Sequence, residues 1–188
     1  MATMENIKDR QKTTTSTSTG FRQQKKRKLG ESLLSIAEGR KNLPVFRYRK
    51  KICDLVAGND VVLVMAETGS GKSTQVPQYL LDEPFIKELG AQSLCVTQPR
   101  RVAAITVCKR VAQERNCRLG TEVGYRVRFD DNTTPGTRLI YATDGMLLRQ
   151  AMLDPLLSAY GVIFLDEAHE RSLQTDMLVR ICIQVWRL

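Results

Sequence analysis

A glycine-rich segment with a lysine–serine pair, residues 66–73, contains the residue types that bind nucleotide phosphates. It reads Ala-Glu-Thr-Gly-Ser-Gly-Lys-Ser and follows an apolar run, residues 61–65. A strand, a glycine turn and a helix in this order let backbone N–H groups converge on an anion at the helix N-terminus. Lys72 would then reach the β- and γ-phosphates, and the Ser73 hydroxyl would hold Mg²⁺. Ala66 stands where the pattern usually has its first glycine, and a chance Gly/Ser loop is the alternative.

A second apolar run, residues 161–165, ends in the acidic pair Asp166-Glu167. Such a run predicts a strand buried on both faces, as in a parallel sheet. Asp166 would complete the Mg²⁺ site, and Glu167 would orient the attacking water. On its own, Asp-Glu after a strand is more often a turn or a helix N-cap. The two segments together predict nucleotide hydrolysis.

These two segments and three more resemble the DEAH-box RNA helicases. The matching segments are residues 66–75, 97–104, 124–129, 143–149 and 166–176, in the order of that family. The resemblance extends over roughly residues 43–180. It implies an α/β fold: a RecA-like P-loop NTPase domain over residues 41–188, with a mostly parallel sheet flanked by helices. It also implies ATP or another NTP and Mg²⁺ as cofactors, and RNA as partner.

The resemblance implies a role for each matching residue of the nucleotide site. Lys72, Asp166 and Glu167 would be catalytic, and Ser73 and Asp166 would hold Mg²⁺. The nucleotide would contact Glu67, Thr68, Gly69, Ser70, Gly71, Lys72, Ser73, Thr74 and Arg110. Arg110 matches a position that stacks on adenine, and its alternative is a solvated helix arginine.

The same resemblance implies an RNA face that contacts phosphates and 2′-hydroxyls rather than base edges. Its candidates are Arg100, Arg101, Arg128, Thr143 and Asp144. A Pro-Arg-Arg triplet on its own is usually a surface turn. His169 is expected to couple the nucleotide site to a second domain.

The chain has 188 residues, and a helicase of this type needs two RecA-like domains. The Ser-Ala-Thr motif and the arginine fingers of the second domain do not occur in it. We therefore expect an ATP-binding domain that is incomplete at its C-terminus, binds nucleotide weakly and hydrolyses it slowly. The alternative is a noncatalytic RNA- or nucleotide-binding fragment that competes with a full-length helicase. A transporter-type ATPase is disfavoured because no Leu-Ser-Gly-Gly-Gln signature occurs.

The positive charge is concentrated at the N-terminus. The first 50 residues carry 13 Lys/Arg and 4 Asp/Glu, whereas the other 138 carry 16 of each. Residues 1–40 are therefore expected to be a disordered basic arm. Its Lys25-Lys26-Arg27-Lys28 cluster indicates nuclear import or RNA binding. This favours a nuclear location, with a cytoplasmic one left open.

Five scattered cysteines without a C-x-x-C pair indicate reduced core thiols. No apolar run has the length of a membrane span. Periodicity predicts strands over residues 61–65, 93–97, 125–129, 139–143 and 162–166, and a turn over 130–136. It predicts helices over residues 45–58, 72–82, 100–115, 144–153 and 174–187.

Overall fold

The computed structural model describes residues 35–88 and 92–185. The chain divides after Gly39, and every element described below belongs to the second unit, Arg40–Leu188. The predicted disordered basic arm, residues 1–40, lies outside the described residues up to residue 34, including its Lys25-Lys26-Arg27-Lys28 cluster, whereas its residues 35–40 are helical.

Three helices come before the first strand of this unit, and strands and helices then follow. The helices are α1 (Arg49–Gly58), α2 (Lys72–Asp82), α3 (Pro84–Glu88), α4 (Arg101–Glu114), α5 (Asp144–Leu153) and α6 (Leu173–Val185). The strands are β1 (Ser93–Gln98), β2 (Val123–Val127), β3 (Asp130–Asn132), β4 (Leu139–Thr143) and β5 (Tyr160–Leu165). Two 3₁₀ turns, Pro44–Tyr48 and Ala168–Glu170, precede α1 and α6. The helices predicted over residues 72–82, 100–115 and 144–153 are confirmed to within one residue at each end, and the helix predicted to begin at residue 174 begins at Leu173.

The sheet has the strand order β3-β2-β4-β1-β5. Only β3 is antiparallel to its neighbour, so the predicted mostly parallel sheet is confirmed. Alternate residues of β1 and β4 belong to two separate buried clusters. One cluster includes α1, α2 and α4, and the other includes α5 and α6, so helices cover both faces. The carboxyl ends of β4, β1 and β5 therefore share one edge, where Gln98 lies beside Thr143.

Two predictions about the sheet are wrong. Residues 61–65 do not form a strand, and Leu63 and Met65 are 82 and 84% exposed. A cavity of about 1150 Å³ lies between this segment and β5, and a strand needs a hydrogen-bonded neighbour. For the same reason β5, predicted to be buried on both faces, is the outer strand and is mostly half-buried.

The region around residue 130 also differs from the prediction. Asp130–Asn132 form strand β3 rather than the start of a long turn. The chain reverses at Arg128 and Phe129, and Phe129 has a left-handed backbone with φ of 64°. A turn does occur within the predicted range, but it lies at residues 135–136, after strand β3.

The cysteines behave as core thiols. All five are free, and Cys53, Cys95 and Cys108 are buried. Burial raises the pKa of the Cys95 and Cys108 thiols to about 12, so neither is a nucleophile at neutral pH. Across residues 35–88 and 92–185, no helix is long and apolar enough to span a membrane.

Candidate functional site

The predicted phosphate-binding segment, residues 66–73 and called the phosphate loop below, is a tight turn that depends on its glycines. The Ser70 amide donates to the Glu67 carbonyl at 3.2 Å. Gly69 and Gly71 have φ of 80° and 96°, which is the left-handed region that glycine adopts readily. A Cβ on Gly71 would also lie 3.0–3.1 Å from side-chain atoms of Leu43, Val45 and Gln75. Gly71 therefore meets a conformational and a packing requirement at once.

The first turn of α2 is fixed to the loop and to the sheet. The Lys72 ammonium donates to the carbonyls of Ala66 and Glu67, the latter at 2.8 Å. The Tyr141 hydroxyl of strand β4 donates to the Ser73 carbonyl at 2.9 Å. The helix start is thus held by the central sheet, while the Lys72 charge lies over the turn, where a phosphate would compete for it.

The acidic pair follows β5 in a constrained loop. Asp166 is buried, and its carboxylate accepts from the Gln98 side chain and from the Glu167 amide. Glu167 and Arg171 both have φ of 52° and bracket the Ala168–Glu170 turn. The exposed His169 ring has its Nδ1 3.4 Å from a Glu167 carboxylate oxygen. Gln98 therefore fixes Asp166 while Glu167 stays partly accessible.

One cavity brings the two segments together. Glu67, Thr68 and Lys72 line it from the loop side, and Asp166, Glu167 and His169 line it from the end of β5. Ser73 lies in the first turn of α2, half-buried, and is not part of the lining.

The side chains of Ser73 and Asp166 are of the type that binds Mg²⁺. A serine hydroxyl and a carboxylate are hard oxygen ligands, and Mg²⁺ commonly uses one or two such groups with phosphates and waters. Within the described ranges no group of three or more His, Cys, Asp or Glu residues could hold a metal by itself. A Mg²⁺ ion here would therefore depend on the nucleotide for most of its ligands.

Three of the predicted RNA residues lie on the edge that carries this site. Arg100 and Arg101 start α4 directly after β1, and Thr143 ends the neighbouring β4. The Arg100 guanidinium is 3.4 Å from Glu170 in the acidic loop, and Arg101 is 3.6 Å from Asp130. Both arginines are exposed, so these ion pairs contribute little and can yield to a phosphate.

The other predicted RNA residues have different surroundings. Asp144 is 1% exposed, and its carboxylate accepts from the Thr175 hydroxyl of α6. Its side chain therefore packs between α5 and α6. Arg128 is exposed at the hairpin turn, 4.8 Å from the centre of the Phe129 ring.

Arg171, which follows the acidic loop, pairs with a carboxylate of α6. Its guanidinium donates two hydrogen bonds to Asp176, at 2.9 and 3.0 Å. Arg171 and Asp176 thus form an exposed ion pair at the start of α6.

Sequence reasoning missed the residues that hold the predicted ones in place. Gln98 binds Asp166, Tyr141 holds the start of α2, and Glu114 accepts from Arg110 at 2.7 Å. The sequence offers a signal for two of them: Gln98 is a polar residue at the end of an apolar strand, and Glu114 has i,i+4 spacing from Arg110. Their partners lie 68 residues away in the first two cases, which no local pattern reveals.

Comparison with known proteins identifies relatives that are about 50% identical to this chain. A scan against protein-family models finds no match. The Arabidopsis thaliana protein named pre-mRNA-splicing factor ATP-dependent RNA helicase DEAH10 is 50% identical over 152 residues, or 81% of this chain and 21% of that protein. Probable ATP-dependent RNA helicase DHX35 of Homo sapiens is 53% identical over 147 residues, 78% of this chain and 21% of its own length.

A third relative, pre-mRNA-splicing factor ATP-dependent RNA helicase prp22 of Schizosaccharomyces pombe, is 50% identical over 145 residues. These are 77% of this chain and 12% of the relative. The chain thus spans about a fifth or less of the length of these curated proteins. Identity near one half over more than three quarters of the chain agrees with the ordered motifs. This chain belongs to the DEAH-box ATP-dependent RNA helicase family.

Proposed function

We propose that this chain is the ATP-binding, RecA-like part of a DEAH-box RNA helicase, which binds ATP with Mg²⁺ and the backbone of RNA. The observation that carries this proposal is the single cavity lined by Lys72 from the phosphate loop and by Asp166 and Glu167 from the end of β5. Ligands of parallel α/β sheets bind at the carboxyl ends of the strands, where this cavity lies.

Each residue then has a distinct task in phosphoryl transfer. The amides of the glycine turn and the Lys72 ammonium offset the negative charge of the β- and γ-phosphates. Ser73 and Asp166 would hold Mg²⁺, which would supply positive charge to offset the charge on the phosphate oxygens. Glu167 orients the attacking water and accepts its proton.

RNA binds across the neighbouring strand ends. Arg100 and Arg101 contact phosphates, Thr143 lies beside the same strand of RNA, and contacts of this kind carry little sequence information. A second RecA-like domain and a protein activator are further partners in the longer protein. Two relatives are named as pre-mRNA-splicing factors, which supports a nuclear role for this chain.

A second candidate is a noncatalytic binder that competes with a full-length helicase. The specific observation in its favour is that no arginine of the described residues lines the cavity. An arginine at the transferring phosphate contributes on the order of 10³–10⁵ in rate where it has been measured. We therefore expect slow hydrolysis by this chain and binding as its measurable property.

Binding of a fluorescent ATP analogue with Mg²⁺ tests the proposal. Lys72→Ala removes the charge at the phosphates and is expected to weaken binding by about tenfold or more. Lys51→Ala, which removes an exposed lysine of α1, is the matched control and should bind as the wild type does. Equal affinity of the Lys72→Ala and wild-type proteins would contradict the proposed site.

A further inference from the structure

A buried carboxylate at the end of α4 gathers donors from two helices. The Glu114 side chain is 2% exposed. One of its oxygens accepts from Arg110 Nε at 2.7 Å, and the other accepts from the amides of Gln75 and Gln78, each at 2.8 Å. Arg40 Nε lies 3.5 Å from the second oxygen. Glu114 is thus the common acceptor between α2 and α4.

The donors explain why a charged group is stable at this buried position. Gln75 and Gln78 lie one turn apart on α2, are fully buried, and need acceptors for their amide groups. Burial alone would raise the pKa of the Glu114 carboxyl, but the bonds from Gln75, Arg110 and Gln78 outweigh it and hold that pKa below its usual range. Glu114 is therefore ionised at neutral pH.

The same contacts connect Arg110 to the phosphate loop. The Gln75 amide that donates to Glu114 also lies 3.0 Å from the Thr74 hydroxyl. Thr74 belongs to the first turn of α2, which begins at Lys72. Arg110 is consequently fixed with respect to the turn that starts the phosphate-binding helix.

The Arg110 guanidinium meets Glu114 through its Nε edge. The arginine side chain is 52% exposed, although its partner is almost completely buried. A planar cation that is held at one edge keeps its face open for stacking on an aromatic ring.

We propose that Glu114 is a positioning residue of the nucleotide site: its carboxylate holds the Arg110 guanidinium beside the first turn of α2, so that adenine stacks on the face of Arg110. This inference rests on the proposed function, in which the glycine turn meets the phosphates, and adds to it the base contact that the resemblance implies for Arg110. Glu114 touches neither, and its effect reaches the nucleotide only through Arg110.

Comparison of ATP with inorganic tripolyphosphate tests this role, because only ATP carries a base. In the whole chain, Glu114→Gln should weaken ATP binding by about tenfold, the magnitude of one lost stacking contact. Tripolyphosphate binding should stay within about twofold, because the phosphate loop does not use Arg110. Arg110→Ala should have the same effect, and the double variant should bind ATP no more weakly than Arg110→Ala alone.

Glu122→Gln is the matched control. Glu122 accepts two hydrogen bonds from Arg115 at 2.9 and 2.8 Å, so the substitution weakens an equally well-bonded carboxylate near the same helix end. Both ligands should bind this variant as they bind the wild type. Unchanged ATP affinity in Glu114→Gln would overturn the inference. An equal loss of affinity for ATP and tripolyphosphate would also overturn it, because Glu114 would then only stabilise α2. A wild-type chain that bound neither ligand would instead refute the proposed function.

A measurement on the wild-type protein covers the case in which Glu114→Gln does not fold. The Arg110 Nε–H, assigned by its absence in Arg110→Lys, should give a slowly exchanging NMR signal because it donates to Glu114. Adding ATP should shift this signal through the ring current of adenine, whereas tripolyphosphate should not. A rapidly exchanging signal, or equal shifts with both ligands, would overturn the inference.

Discussion

At the scale of single residues, Gly71 illustrates how strictly the phosphate loop is specified. Gly71→Ala should lower the free energy of unfolding by about 1–3 kcal/mol, because alanine at a φ of 96° is strained and its Cβ meets three side chains. Chemical denaturation measures this change. Gly58→Ala is the control, because a Cβ there has no atom within 4 Å, and it should be neutral or slightly stabilising. Equal stability of the Gly71→Ala and wild-type proteins would contradict the described turn.

Residue types suggest which chemistry a segment could perform, but they do not reveal the surroundings of each side chain. The loop and the acidic pair stand out in the sequence because nucleotide chemistry, as proposed for them, would restrict their residue types. Asp144 was assigned to RNA on the same basis, yet its carboxylate is buried against Thr175. A burial of this kind depends on how α5 and α6 pack, and no sequence pattern near residue 144 contains that information.

At the scale of elements, local signals predicted helices well and strand partners poorly. The bounds of α2 and α5 follow from nearby residues, including a glycine before α2 and polar residues at the start of α5. Residues 61–65 and 161–165 are both apolar runs, but only the second lies beside a partner strand. Pairing is a non-local property, so the first was wrongly predicted to be a strand.

Amide hydrogen exchange should separate these two segments. Residues 61–65 have no ladder partner in the described chain and should exchange almost as fast as unstructured amides. Strand β1 is flanked by β4 and β5 and should be the most protected part of the sheet. Mass spectrometry of peptides covering each segment measures the difference. Equal protection of residues 61–65 and β1 would show that the segment is paired.

At the scale of the whole molecule, the fold brings together parts of the chain that lie about a hundred residues apart. Lys72 begins α2, and Asp166 follows β5, yet both line one cavity. The parallel arrangement of β4, β1 and β5 also brings Arg100 and Thr143 to the same edge. Nucleotide and RNA sites would thus be neighbours because the strands that carry them end side by side.

We propose that the phosphate loop and the acidic pair together form one site for ATP with Mg²⁺. The most direct measurement is the affinity of ATP with Mg²⁺ and with a chelator, for the wild type and Asp166→Asn. We expect Mg²⁺ to strengthen ATP binding by the wild type, and Asp166→Asn to lose most of that gain while retaining its affinity for ATP alone. Asp154→Asn, at the end of α5 and outside the cavity, should behave as the wild type does. If the Asp166→Asn protein kept the full effect of Mg²⁺ on ATP binding, Asp166 would not be part of the site for ATP with Mg²⁺.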